Sequence, residues 1–424
     1  MARPDKLRAP RGTFDVLPAD GRRRLALLEA SAELLGAAGY EPIETPVFED
    51  TELFARGVGE TTDIVEKEMF TFEDLGGRSV TLRPEATAAV CRAYVEHGMH
   101  KLPQPVKLWS SGPFFRYEAP QAGRYRQFAQ IDAEALGSDD PSLDAEMILL
   151  LSELLERSGA RDVRLRLSSL GTATTRRDYS QELGAYLRDH EDELSDTVRA
   201  RIDRNPLRAF DSDHPGTRRV MERAPRLLDR LAPEDAEHLD AVRAMLDDAG
   251  QEHQLDAGLV RGLDYYTRTV FEFTSDALGA QSGLGGGGRY DALVEQLGGP
   301  PTPAVGWAAG MERILLASDE AVPERRPVAF VAVPKAEAAR RAFGVARELR
   351  AAGLDTQLEQ GGRSVKGQLK HADRLGAPVV VIVGESELEV KDMRSGEQRP
   401  AADVAEVVRL ASEVERAAGP EAPR

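Results

Sequence analysis

Residues 114–134 constrain this chain more than any other segment. Apolar runs at 114–117 and 128–135 read as strands, and residues 119–126 between them contain Pro120 and Gly123, so the piece closes as a hairpin. Arg116, Arg124 and Arg126 are interleaved with Tyr117, Tyr125 and Phe128 along it. Solvated arginines on an amphipathic hairpin would be the ordinary explanation, but so many planar groups in so short a window weaken it. A guanidinium is a planar fork for phosphate oxygens, and an aromatic ring is a stacking surface for a base. Together they describe a nucleotide held on a sheet. No glycine loop followed by lysine, the usual phosphate cradle, accompanies them.

The periodicity around this hairpin places other elements. A helix is expected over 18–39, with Leu25, Leu28, Leu34 and Leu35 on one face, and another from Pro84, with Glu85 near the positive end of its dipole. A strand is expected at 106–110 and a helix at 141–158. Residues 170–253 read as a charged helical insertion between two pieces of one sheet. Strand character resumes at 256–273. A glycine-rich turn and a helix follow, then a strand and helix around 304–317. After a linker at 318–327 the pattern changes. Apolar strands at 328–333 and 379–383 alternate with helices at 335–351, 363–375 and 402–418, which predicts a small α/β domain with a largely parallel sheet.

Composition sets limits. The 424 residues argue for two or three domains, and 41% hydrophobic content is enough for a core. No run approaches the roughly 20 apolar residues that span a bilayer, and no secretory signal opens the chain, so a cytoplasmic protein without membrane partners is expected. Cys91 is the one cysteine, which excludes an internal disulfide and a cysteine metal site; the seven histidines do not cluster, so no metal site is expected. The net charge of −17 opposes steering by nucleic acid, so RNA contact would need local basic patches. Residues 326–424 are close to neutral and permit this.

Three further segments carry chemistry. At 81–88, Glu85 and Thr87 either belong to a capped helix start or face a pocket and grip an ammonium. At 260–273, Arg261 beside Gly262 either reaches a phosphate or pairs at the surface, and Tyr265 and Tyr266 should face opposite sides of a strand, one in the core. At 283–293 a glycine run is most often a flexible turn. Gly306 and Gly310 at 305–314 would let a ligand lie against backbone within reach of Arg313.

In this order the segments resemble the class II aminoacyl-tRNA synthetases, and specifically the histidyl-tRNA synthetase family. Residues 11–18 resemble its opening signature, 41–49 its motif 1, 114–134 its motif 2 and 305–314 its motif 3. Residues 261–266 and 287–291 resemble its two histidine signatures. The resemblance covers nearly the whole chain. It implies an α+β catalytic domain at 1–325, an antiparallel sheet flanked by helices with the insertion at about 170–253, and an anticodon-binding α/β domain at 326–424. It implies ATP-dependent activation of L-histidine and its transfer to tRNA(His), with Mg²⁺ bridging the ATP phosphates and a homodimer formed through motif 1.

The resemblance also implies roles. Arg116 and Arg261 would hold the α-phosphate as the catalytic pair. Glu118, Arg124, Phe128 and Arg313 would complete the ATP site, Phe128 stacking on adenine and Arg313 meeting the γ-phosphate. Glu85, Thr87 and Gln130 would surround the amino group of histidine. Glu134 and Tyr266 would pin its imidazole, with Tyr265, Tyr290 and Arg261 beside it. Gln121 and Arg124 would approach the tRNA acceptor end, where Ala119 stands in place of the arginine common in the family. Ala129 and Ala86 also depart from common histidine and glycine. A second reading is a histidine-sensing regulatory subunit of ATP phosphoribosyltransferase. Such paralogues lose catalytic arginines and the C-terminal domain, whereas this chain has both.

Overall fold

Strands Val106–Phe115 and Gln127–Leu136 pair antiparallel over their full ten-residue length. The first is longer than its sequence suggested because it runs through Pro113 without a break. The carbonyl of Pro113 and the N–H of Phe115 both turn away from the partner strand, toward Arg83. The N–H that proline lacks therefore falls on the open edge, where no ladder bond is forfeited.

In the computed structural model, residues 7–59, 62–259, 263–319, 322 and 324–418 are described. They divide into two units, Met1–Val322 and Pro323–Arg424. The hairpin belongs to an eight-stranded sheet in the first. Its order is Glu41–Pro42, Val106–Phe115, Gln127–Leu136, Ala304–Gly310, Gly283–Arg289, Thr267–Ser275, Val163–Ser169 and Gln254–Leu255. The six central strands are antiparallel, and the two short outer strands join in parallel.

The glycine run is a central strand, not a turn. Gly287 packs so tightly on its neighbour that an added Cβ would sit 1.9 Å from the carbonyl oxygen of Gly306, and at Gly285 it would sit 2.8 Å from the Cβ of Ala309. Glycine is used here because backbone must approach backbone, a demand that local propensity does not reveal.

Helices Pro18–Ala37 and Pro141–Arg157 border the core beneath the sheet. The first buries Leu27, Ser31, Leu34 and Leu35 and leaves Leu25 exposed, so its inner face is rotated from the one expected. The second starts cleanly, with Pro141 at its first position and the Asp140 carboxylate accepting from Ser142 N–H at 2.8 Å. The helix expected from Pro84 begins at Thr87.

Helices Ala173–Asp189, Asp196–Arg199, Pro215–Met221 and Pro233–Asp248 lie between strands Val163–Ser169 and Gln254–Leu255. Buried Asp235 ties the last of them to the sheet and to the start of the first, meeting Arg268 at 3.1 Å and the N–H of Thr172 at 2.9 Å.

The second unit is a five-stranded sheet ordered Thr356–Leu358, Ala329–Ala332, Val379–Val383, Leu388–Asp392 and Gln398–Ala401, with helices Ala339–Ala351, Val365–Arg374 and Val404–Ala418. Only its first three strands are parallel. The last two add antiparallel. Their signal is weak because Leu388 and Val390 are buried while Glu389 and Lys391 between them are not. Among the described residues no helix is long and apolar enough to cross a membrane.

Candidate active site

A cleft of about 470 Å³ opens over strands Gln127–Leu136, Ala304–Gly310 and Gly283–Arg289. Its floor is largely main chain, because Gly283, Gly285, Gly286, Gly306 and Gly310 line it.

Arginines and aromatics gather at one end. The Arg116 guanidinium lies 5.4 Å from the Phe128 ring centroid and donates Nε to the carbonyl of Pro84 at 3.0 Å. Arg313 donates Nε to Gly123 at 2.8 Å and Nη1 to Gly283 at 2.9 Å, which joins its helix to the hairpin loop and the glycine strand. Burial and then the neighbouring Arg124 charge draw the Arg313 pKa below its usual value. Arg124 is paired with Glu118. The Arg313 charge is therefore less favourable here than in water, a cost that an entering anion would offset.

Carboxylates and hydroxyls gather at the other end. Strand alternation puts Gln130, Asp132 and Glu134 on one face. Glu134 is buried and accepts from Thr87 Oγ1 at 2.6 Å and from the hydroxyl of Tyr290. Its carboxylate leans over Gly306, where a Cβ would overlap it. Burial pushes its pKa up to about 8, although both hydroxyls oppose the shift. Glu85 is also buried and raised for that reason, and it accepts from the N–H groups of Thr87 at 2.7 Å and Ala88 at 2.9 Å. Glu85 thus both caps the first turn of the helix and lines the cleft. The hydroxyl of Tyr265 stands 3.5 Å from Glu85.

Tyr265 and Tyr266 do not face opposite sides of a strand. They precede strand Thr267–Ser275, with ring centroids 4.8 Å apart, and both are buried and line the cleft. Arg176 from the helical insertion holds this turn by donating Nη1 to the carbonyls of Asp264 at 2.7 Å and Tyr266 at 3.1 Å. Tyr290 is fixed from the other side. Its neighbour Arg289 is fully buried and meets Asp144 at 2.6 Å and the Ser138 carbonyl at 2.9 Å.

Eleven of the expected residues line the one cleft: Glu85, Thr87, Arg116, Glu118, Arg124, Phe128, Gln130, Tyr265, Tyr266, Tyr290 and Arg313. Glu134 stands against its wall through Thr87 and Tyr290. Gln121 is exposed at the hairpin tip and is not a lining residue. Arg261 lies outside the described residues.

Sequence reading missed Glu272, Trp307 and Glu312 in the lining, and Asp132 behind it. Glu272 had a signal, since it alternates with the core residues Phe271 and Phe273 and so must face away from them. Asp132 had only its place on the face of Gln130 and Glu134. It is 1% exposed, neither carboxylate oxygen has a hydrogen-bond partner among the described residues, and burial followed by Glu134 and Glu85 raises its pKa strongly.

The family model described as histidyl-tRNA synthetase matches residues 12–314, and one described as an anticodon binding domain matches 328–413. The chain belongs to the histidyl-tRNA synthetase family. A curated histidine–tRNA ligase of Rubrobacter xylanophilus is 49% identical over 92% of this chain and 96% of that protein. One of Saccharopolyspora erythraea is 48% identical over 92% and 95%. The crystal structure of apo histidyl-tRNA synthetase from S. aureus superposes with a TM-score of 0.79 at 35% identity, covering 96% of this chain and 99% of that one. The class II histidyl-tRNA synthetase fold, with its C-terminal anticodon-binding domain, is thus the fold of this chain.

Proposed function

We propose that this chain is a histidine–tRNA ligase that activates L-histidine with ATP and transfers it to the 3′ end of tRNA(His). The observation that carries the reading is one cleft with an arginine–aromatic end at Arg116, Phe128 and Arg313 and a buried Glu134 at the other. Phe128 offers its face to adenine. Arg116 and Arg313 meet the phosphates, with Arg261 as the second cation on the α-phosphate, and Glu118 and Arg124 close the nucleotide side. Glu85, Thr87 and Gln130 take the ammonium of histidine.

Neutral imidazole presents one N–H and one bare nitrogen. Glu134 accepts the first, and the phenol of Tyr266 donates to the second, with Tyr265 and Tyr290 packed around them. A wrong side chain would leave these buried groups unpaired, which is the strongest available basis for rejection.

In the first step a carboxylate oxygen of histidine bonds to the α-phosphorus of ATP, and the bond to the bridging oxygen breaks as pyrophosphate leaves. In the second, a terminal ribose hydroxyl of tRNA bonds to the carbonyl carbon, the bond from that carbon to the phosphate oxygen breaks, and AMP leaves as the hydroxyl proton passes to its phosphate or to water. Charge builds on phosphoryl oxygens, so fixed guanidinium groups and alignment of the reactants supply the acceleration. Mg²⁺ would enter with ATP and would offset the charge of its phosphates. Gln121 and Arg124 at the hairpin loop meet the acceptor end, the second unit meets the anticodon, and a homodimer forms through residues 41–49.

Histidine-dependent exchange of pyrophosphate into ATP, followed by charging of tRNA(His), tests the proposal. A histidine sensor would bind histidine and catalyse neither. The match of residues 328–413 to an anticodon binding domain and the presence of Arg116 and Arg313 in the cleft weigh against a sensor.

A further inference from the structure

The opening signature at residues 11–18 supplies no side chain to the cleft, yet it is bound to the hairpin loop that does. The carbonyl of Gly12 accepts from the N–H of Arg126 at 2.8 Å. Gly12 has φ +85° and lies so near the Arg126 side chain that a Cβ would stand 2.7 Å from its Cγ, so glycine is required on both counts. Phe14 then packs against Tyr125, a lining residue, with ring centroids 4.6 Å apart and planes tilted by 52°.

In the second turn of helix Pro18–Ala37, Arg24 lies 5.7 Å from the Phe14 ring and pairs with Glu312 at 2.5 Å. Glu312 is nearly buried, and its two oxygens accept the N–H of Ala129 at 3.1 and 3.0 Å. Ala129 follows Phe128, and Glu312 precedes Arg313. The segment is therefore tied to the hairpin loop at 125–126, and through Glu312 to both the base-stacking strand and the helix that carries Arg313.

We infer that residues 12–24 form a strap that holds the nucleotide wall of the cleft in its ligand-binding shape, with Phe14 and Arg24 as positioning residues for ATP. Neither side chain touches the ligand; each fixes residues that do. The inference rests on the proposed placing of ATP at the arginine–aromatic end. Phe14 is 41% exposed, so its removal costs little core, and the effect should fall on binding rather than on folding. Loss of an aromatic contact or an ion pair to a preorganised wall corresponds to a change of roughly three- to tenfold in affinity.

The test is calorimetric titration of the full chain with ATP alone and with histidine alone, for wild type, Phe14→Ala, Arg24→Ala and Phe14→Tyr. Phe14→Ala and Arg24→Ala should weaken ATP by about three- to tenfold and leave histidine affinity unchanged, and Phe14→Tyr should restore ATP binding. Unchanged ATP affinity in both alanine variants, or an equal loss for both ligands, overturns the strap. Wild type that binds no ATP overturns the functional reading itself, a separate outcome visible before any variant is compared.

Discussion

Tyr290 donates its hydroxyl to Oε2 of Glu134, and both side chains are buried. The carboxyl group is thereby aimed before any ligand arrives. Tyr290→Phe removes one of its two hydroxyl donors without changing the packing volume. A buried acceptor left short of a partner costs about 1–3 kcal/mol, so the KM for histidine in pyrophosphate exchange should rise about tenfold or more while the KM for ATP stays near its wild-type value. Equal changes in both constants would assign Tyr290 to general architecture.

The raised pKa of Glu134 has a thermodynamic sign. The folded chain holds this proton up to about pH 8, whereas an unfolded glutamate releases it in the ordinary carboxylate range. Between those limits the folded state binds more protons, so stability falls as pH rises. Glu134→Gln should make this decline shallower. Thermal midpoints of both proteins from pH 5 to 9 check it, and parallel curves would contradict it.

Arg116, just past strand Val106–Phe115, and Arg313, on helix Met311–Ala317, line the same cleft. Arg116→Ala, and equally Arg261→Ala, should lower the exchange rate by about 100-fold or more, the scale of removing one preorganised charge stabiliser, with an unchanged circular dichroism spectrum. Near-normal exchange would remove either residue from the chemistry.

Gly287→Ala tests the glycine strand. Its new Cβ would lie 1.9 Å from a backbone oxygen that cannot rotate away. Destabilisation above about 4 kcal/mol is expected, measured as a shift in the urea midpoint or as failure to accumulate folded protein. A variant of ordinary stability would mean that the two strands separate easily.

The sequence made the hairpin legible because its message is local: guanidinium and aromatic groups alternate within a dozen residues, and the sheet puts most of them in one cleft. The parts that escaped depend on distant neighbours. Nothing near Glu312 foretells that it will take the N–H of Ala129, 183 positions away. Strand alternation does put Asp132 on the face of Gln130 and Glu134, but nothing in the sequence foretells that neither of its oxygens meets a hydrogen-bond partner among the described residues. The glycine strand was misread because local propensity asks what glycine permits, whereas the fold asks what a side chain would strike. Tyr265 and Tyr266 were misjudged for a related reason: opposite faces follow only if the pair lies inside a strand, and theirs begins one residue later.

The strand of successive glycines has a consequence for any attempt to redesign selectivity. Where a pocket is bottomed by side chains, its depth can be tuned by trimming or lengthening them. Where Gly283, Gly285, Gly286, Gly306 and Gly310 line this cleft, peptide units form the bottom, and a substitution there can only intrude. On the proposed placing of histidine, room for a bulkier amino acid over these glycines must be won laterally, at Tyr265, Tyr266 or Thr87, so that part of the cavity is adjustable in width and fixed in height.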